Sequence, residues 1–141
     1  MNNSHLQSSI YKNASMGETA LKSLIPMVGN SRVKNVLISQ YNGYKAQKEM
    51  TALSMKKMGL APQGPSLMSQ LMTSASVKLK MKRDGSSENA AKMVIKGTNT
   101  GIIELTETLN HTRCSSPEAV QSAKEYLRRE QKNIEKLKPY L

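Results

Sequence analysis

Apolar residues in this chain recur at steps of three and four along four long stretches. A helix turns that spacing into one continuous stripe, whereas a strand would scatter it over both faces. Leu6, Ile10, Ala14, Gly17, Leu21, Leu24 and Val28 mark one face of a helix from about residue 3 to 27, with Asn2, Asn3 or Ser4 as its cap and Pro26 and Gly29-Asn30 at its end. Ser31 is placed to cap a second helix reaching Met58, stopped by Gly59 with Pro62 beyond. Its face runs through Val33, Val36, Leu37, Gln40, Tyr44, Gln47, Thr51, Met55 and Met58, so its middle is polar. Asp84-Gly85 is a turn, and Ser86 or Ser87 caps a third long helix reaching His111, with Val94, Ile102, Leu105 and Leu109 as its stripe. Gly97 and Gly101, four apart on that helix, suggest the close approach of another backbone. Ser116-Pro117-Glu118 is a strong helix start: cap, proline at the first position, acid in the first turn. Val120, Ala123, Leu127, Glu130, Ile134, Leu137 and Leu141 follow it in strict three-four spacing, with an acid at the centre of the seam.

Between the second and third long helices, Gly59 to Pro65 is a connection. Residues Ser66 to Lys82 read as a shorter helix with Leu67, Met68, Leu71, Met72, Ala75 and Leu79 as its apolar side. Alternation from Ser76 to Met81 also permits a short strand there. The pattern predicts one all-α domain over residues 1–141, a four-helix bundle with an extra short helix in the connection between the second and third long helices.

Composition narrows the class. Of 141 residues, 38% are hydrophobic, enough for one core, but there is no Trp or Phe, so ten Met, with Leu, Ile and Ala, are expected to fill the interior. Some of that set, between the second helix and the connection, offers instead a greasy surface on which two copies would pair. A homo-oligomer, most simply a dimer, is therefore the expected partner. The single cysteine, Cys114, excludes a disulfide framework within the chain and reads as a surface thiol. No apolar run spans a bilayer, and the polar start Met1 to Leu6 lacks a signal-peptide core, so a cytoplasmic protein is expected.

The net charge of +11 is unevenly placed: residues 22–83 hold eleven basic side chains against one acid, Glu49. Lys34, Lys45, Lys48, Lys56, Lys78, Lys80, Lys82 and Arg83 are the candidates for an anionic surface or nucleic acid. The competing reading is a solvated lysine face, and the lack of base-stacking aromatics favours it. His111 and Cys114 form no acid-oriented triad, and Gly97-Thr98-Asn99-Thr100-Gly101 lies within a helical pattern, not after a strand.

Ala14-Ser15-Met16-Gly17-Glu18, Gly97-Thr98-Asn99-Thr100-Gly101 and Glu130-Gln131-Lys132-Asn133-Ile134-Glu135-Lys136-Leu137, on a four-helix pattern covering nearly the whole chain, resemble the ferritin-like, rubrerythrin-like bundles and most of all their uncharacterised bacterial members. The resemblance implies an up-down bundle whose interior holds, or once held, a two-metal carboxylate site. Such a site takes a Glu from each of two helices and a Glu-x-x-His pair from each of the other two. This chain offers Glu18, Glu104 and Glu130 on three helices and His111 four residues after Glu107, but no Glu-x-x-His and no acid on the inward face of the second helix. The expected outcome is a degenerate site, its acids buried beside a polar core of Gln40, Tyr44 and Gln47, with Thr98 or Thr108 as further partners. That makes a non-enzymatic protein of structural or interaction type without a cofactor. Weak binding of iron or another divalent metal is the first alternative, and a basic module for nucleic acid or an anionic surface the second.

Overall fold

The computed structural model describes residues 2–112 and 116–141, with side chains from His5 onward. Cys114 and the cap expected among Asn2, Asn3 and Ser4 lie outside the described side chains. The described residues form five α-helices and no strand: α1 (Asn2–Leu24), α2 (Ser31–Lys57), α3 (Leu67–Arg83), α4 (Ser87–His111) and α5 (Pro117–Leu137). Short 3-10 turns follow α1 at Ile25–Met27 and α5 at Lys138–Tyr140, each around a proline that lacks the amide hydrogen a longer helix needs.

Local chemistry sets the boundaries. The cap of α2 is Asn30 rather than Ser31: its side-chain oxygen accepts from the amides of Arg32 and Val33 at 2.9 and 3.1 Å. Ser66, Ser86 and Ser116 each accept from the amide three residues on, opening α3, α4 and α5. Gly59 takes φ +74°, and the amides of Gly59 and Leu60 return to the carbonyls of Lys56 and Met55, closing α2 as its sequence suggests. The strand alternative for Ser76 to Met81 does not form; α3 runs unbroken to Arg83.

Helix direction follows from paired side chains. Gln40 meets Asn133, Tyr44 meets Glu130 and Gln47 meets Arg129, so α2 and α5 are antiparallel. Short connections make α1 antiparallel to α2, and α4 antiparallel to α5. Consequently α2 and α4 point the same way, and α3 must travel back along the molecule between them. It does so beside α1, with Gly64 near Tyr11 and Ser74 bonded to Ser23. α1 is the hub, packing against all four other helices, whereas α3 rests on α1 and only brushes α4.

The core is built from Leu6, Ile10, Leu21 and Leu24 of α1, Val33, Leu37 and Met55 of α2, Leu105 of α4 and Ile134 and Leu137 of α5. Small residues let the helices close: Ala14, Ala90, Ala91 and Ala123 are fully buried. Gly17 is required at its place, because a Cβ there would sit 2.7 Å from the Tyr44 ring.

One expectation is corrected. Methionine is not the main filler: Met55 and Met81 are buried, but Met50, Met58, Met68 and Met72 are exposed. The direction of α3, which the spacing left open, is outward. Its apolar side, Leu67, Met68, Leu71, Met72 and Leu79, faces water, while Thr73, Ser74, Val77 and Met81 face the other helices. Met81 is the one buried residue of that helix. Among the described residues no helix is long and apolar enough to cross a membrane.

Candidate functional site

The polar middle of α2 and the acid in the α5 seam meet inside the molecule. Glu130 is 3% exposed. Its Oε2 accepts from the Tyr44 hydroxyl at 2.8 Å, and its Oε1 accepts from Asn133 Nδ2 at 3.0 Å. Gln40 Nε2 donates to the Asn133 carbonyl at 3.1 Å, while Gln40 Oε1 is buried without a partner among the described residues. Gln47 Nε2 donates to Thr51 Oγ1 at 2.9 Å, and the Arg129 guanidinium donates to Gln47 Oε1. The layer continues to α1 and α4: the Tyr126 hydroxyl donates to Asn13 Oδ1 at 2.6 Å, and Asn13 Nδ2 donates to the Gly101 carbonyl at 3.0 Å. Buried polar groups need such partners, since each unmade bond costs about 1–3 kcal/mol.

Burial sets the electrostatics. It pushes the Glu130 carboxyl up to about 7, against the pull of the Tyr44 and Asn133 hydrogen bonds and the Arg129 charge. Burial first, then the Glu130 charge, drives the Tyr44 and Tyr126 phenols upward, so both stay protonated donors.

Above this layer opens a cleft of about 630 Å³ between α1, α3 and α4, with Tyr44 and Glu130 among its walls. One end is polar, from Ser9, Lys12 and Asn13 of α1 with Thr100, Glu104 and Thr108 of α4. The other is apolar, from Leu21, Leu24, Val77, Met93 and Val94. Gly97 forms bare wall there: a Cβ on it would meet nothing within 4 Å. It does not receive a neighbouring helix, as its spacing suggested; Gly101 does admit the Asn13 side chain, which would lie 2.7 Å from a Cβ.

The candidate metal ligands do not gather. Glu130 is interior, but Glu18 pairs with Lys48 at 3.5 Å on a partly exposed seam between α1 and α2. Glu104 is exposed at the cleft mouth, and His111 is exposed at the end of α4, its ring nitrogen 2.7 Å from the Glu107 carbonyl. No three of the described His, Asp or Glu side chains group to hold a metal. The reason is angular: Leu105 is buried in α4, so the adjacent Glu104 is turned about 100° away from that contact. The polar core of Gln40, Tyr44 and Gln47 is buried as the helical wheel indicates.

The basic set is spread out. Lys48 lies over the Tyr11 ring and Lys45 over the Tyr41 ring, each 5.6 Å from the centroid, so these aromatics already have cations above them. Lys34 is half-buried, Lys56 is exposed on α2, and Lys78, Lys80, Lys82 and Arg83 are exposed at the end of α3. Sequence reading passed over Asn13, Tyr126, Arg129 and Asn133. Asn133 was within reach, three residues after Glu130 on the same face. Tyr126 was also legible, since it lies four residues before Glu130. Asn13 carried no signal beyond its place beside the buried Ala14. No family model matches the chain, and no curated protein or solved structure does either.

Proposed function

We propose that this chain is a non-enzymatic protein of structural or interaction type that pairs with a second copy through the Leu and Met face of α3. The observation that carries this reading is the face itself: Leu67, Met68, Leu71, Met72 and Leu79 are each between 51% and 73% exposed. Scattered apolar residues on a surface are ordinary, but a contiguous stripe along one helix is surface that gains by being covered. Charge decides how two copies would meet. Lys78, Lys80, Lys82 and Arg83 crowd one end of α3, and no acid lies between Glu49 and Asp84. Parallel pairing would bring the two clusters together. Antiparallel pairing about a two-fold axis keeps them about 20 Å apart, beyond the screening length of roughly 8 Å in physiological salt.

The same proposal takes α1, α2, α4 and α5 as a ferritin-like four-helix bundle with α3 as the extra helix in the connection. Helix direction supports it. Parallel α2 and α4 require one connection that runs the length of the molecule, as the single crossover of that fold does. In this reading Glu130, held by Tyr44 and Asn133, stands for what is left of a carboxylate site.

Light scattering across a dilution series tests the pairing. The expected result is twice the 15.6 kDa chain mass for the native protein and a single chain mass for a Leu71→Asp, Met72→Asp variant of unchanged helicity. A native protein that stays at 15.6 kDa at every concentration overturns it.

A further inference from the structure

The cleft and the buried carboxylate at its wall are independent of the α3 face, and their chemistry points to a ligand. A volume of about 630 Å³ falls within the range of small-molecule sites, roughly 300–1,000 Å³. In a chain of net charge +11, the cleft is lined by two acids, Glu104 and Glu130, against one base, Lys12. Local charge there is opposite in sign to that of the molecule. An ionised carboxylate offers about four acceptor positions. Tyr44 and Asn133 occupy one on each oxygen of Glu130. Neither described ion pair of the protein includes Glu130, and the adjacent Arg129 guanidinium is bonded to Gln47. Glu130 is thus a buried acid with acceptor capacity left and no cation in contact, and it borders a cleft whose far end is hydrocarbon.

We propose that the cleft between α1, α3 and α4 binds a small organic ammonium ion carrying an apolar chain, with the ammonium group at Glu130 and the chain toward Leu24 and Met93. A cationic donor supplies both what the carboxylate has room for, its open acceptor positions, and what it lacks, a cation in direct contact. The hydrocarbon of the ligand lies against Leu21 and Leu24 and covers the half-buried Val77 and Val94, all of which line the cleft. Bare backbone at Gly97 leaves the room for it.

Three probes with the same tail separate the terms: n-octylammonium, n-octanol and octanoate, titrated calorimetrically into the full chain at about pH 8, above the Glu130 value of about 7. Octylammonium is expected to bind at least about tenfold more tightly than octanol, and octanoate more weakly than either. Glu130→Gln keeps the shape of the side chain and is expected to erase the preference for the ammonium over octanol. Gly97→Leu places a side chain in open space and is expected to abolish binding of all three, with helicity retained. Leu71→Asp, Met72→Asp, on the opposite side of α3, is expected to leave the affinities unchanged, which separates cleft binding from detergent-like adsorption. Octanol or octanoate binding as tightly as the ammonium overturns the proposal. So does ammonium binding that survives Gly97→Leu or vanishes with the α3 variant.

Discussion

On α5 the three-four spacing of Ala123, Ile134 and Leu137 looks inward, and all three are buried; on α3 the same kind of spacing in Leu67, Leu71 and Leu79 looks outward, and all three are more than half exposed. Both stretches are plainly helical in sequence, and both carry an apolar side. What differs is where the rest of the molecule lies. α5 packs on α4 and reaches α1 and α2, so its seam closes a core. α3 leans on α1 through its small and polar side, where the Ser23 hydroxyl donates to Ser74 Oγ at 2.9 Å. A hydrophobic stripe therefore reports that a helix has something to bury, and not whether the same chain buries it.

The contrast breaks most visibly under truncation. Leu137→Ala removes a fully buried side chain and is expected to cost about 3 kcal/mol in urea unfolding. Leu71→Ala, measured at dilution where the chain is single, is expected to stay within about 0.5 kcal/mol of native. Equal losses at the two positions would mean that α3 belongs to the core.

Glu130 sharpens the comparison from the α5 side, because it is the one acid in the buried seam. Its carboxyl is pushed up to about 7 from an ordinary 4.5, so the folded state holds a proton that the unfolded chain releases earlier. The folded protein binds more protons between those two values. Stability is therefore highest below about pH 4.5 with respect to this group and declines as pH rises through 7, by about 3 kcal/mol in total. Glu130→Gln is expected to melt higher than native at pH 8, by the equivalent of about 2 kcal/mol, with the advantage gone at pH 4. The check is a pair of thermal melts at the two pH values; a variant less stable at pH 8 would show that the ionised carboxylate holds the layer together.

Two glycines give the finest contrast. A methyl on Gly17 collides with the Tyr44 ring above the α5 seam, whereas one on Gly97 enters the open cleft beside α3. Gly17→Ala is expected to destabilise by about 1–3 kcal/mol and Gly97→Ala to stabilise by up to about 1 kcal/mol, read from the same urea curves.

Much of this was legible in the residues. The caps at Ser86 and Ser116 and the stop at Gly59 were set by local chemistry, and local chemistry is what a sequence displays. The polar middle of α2 was equally open to view, since Gln40, Tyr44 and Gln47 interrupt an otherwise apolar face. The acids were not separable in the same way. Glu18, Glu104 and Glu130 each adjoin an apolar stripe, and a rotation of about 100° per residue decides which one goes inside. Only the position of a partner, Tyr44 for Glu130 and Lys48 for Glu18, settles it. The outward face of α3 was hidden for a related reason: its direction depends on contacts with α1 that no spacing within α3 contains.

The ten methionines are built-in reporters of that direction. Mild peroxide oxidation, read methionine by methionine by peptide mass spectrometry over a range of protein concentrations, is the most direct test. Met68 and Met72 are expected to oxidise quickly in dilute protein and to become protected as concentration rises, with Met55 and Met81 slow throughout. Met68 and Met72 as slow as Met55 at every dilution would put the face of α3 inside a single chain, and equal speed at every concentration would leave no second copy to cover it.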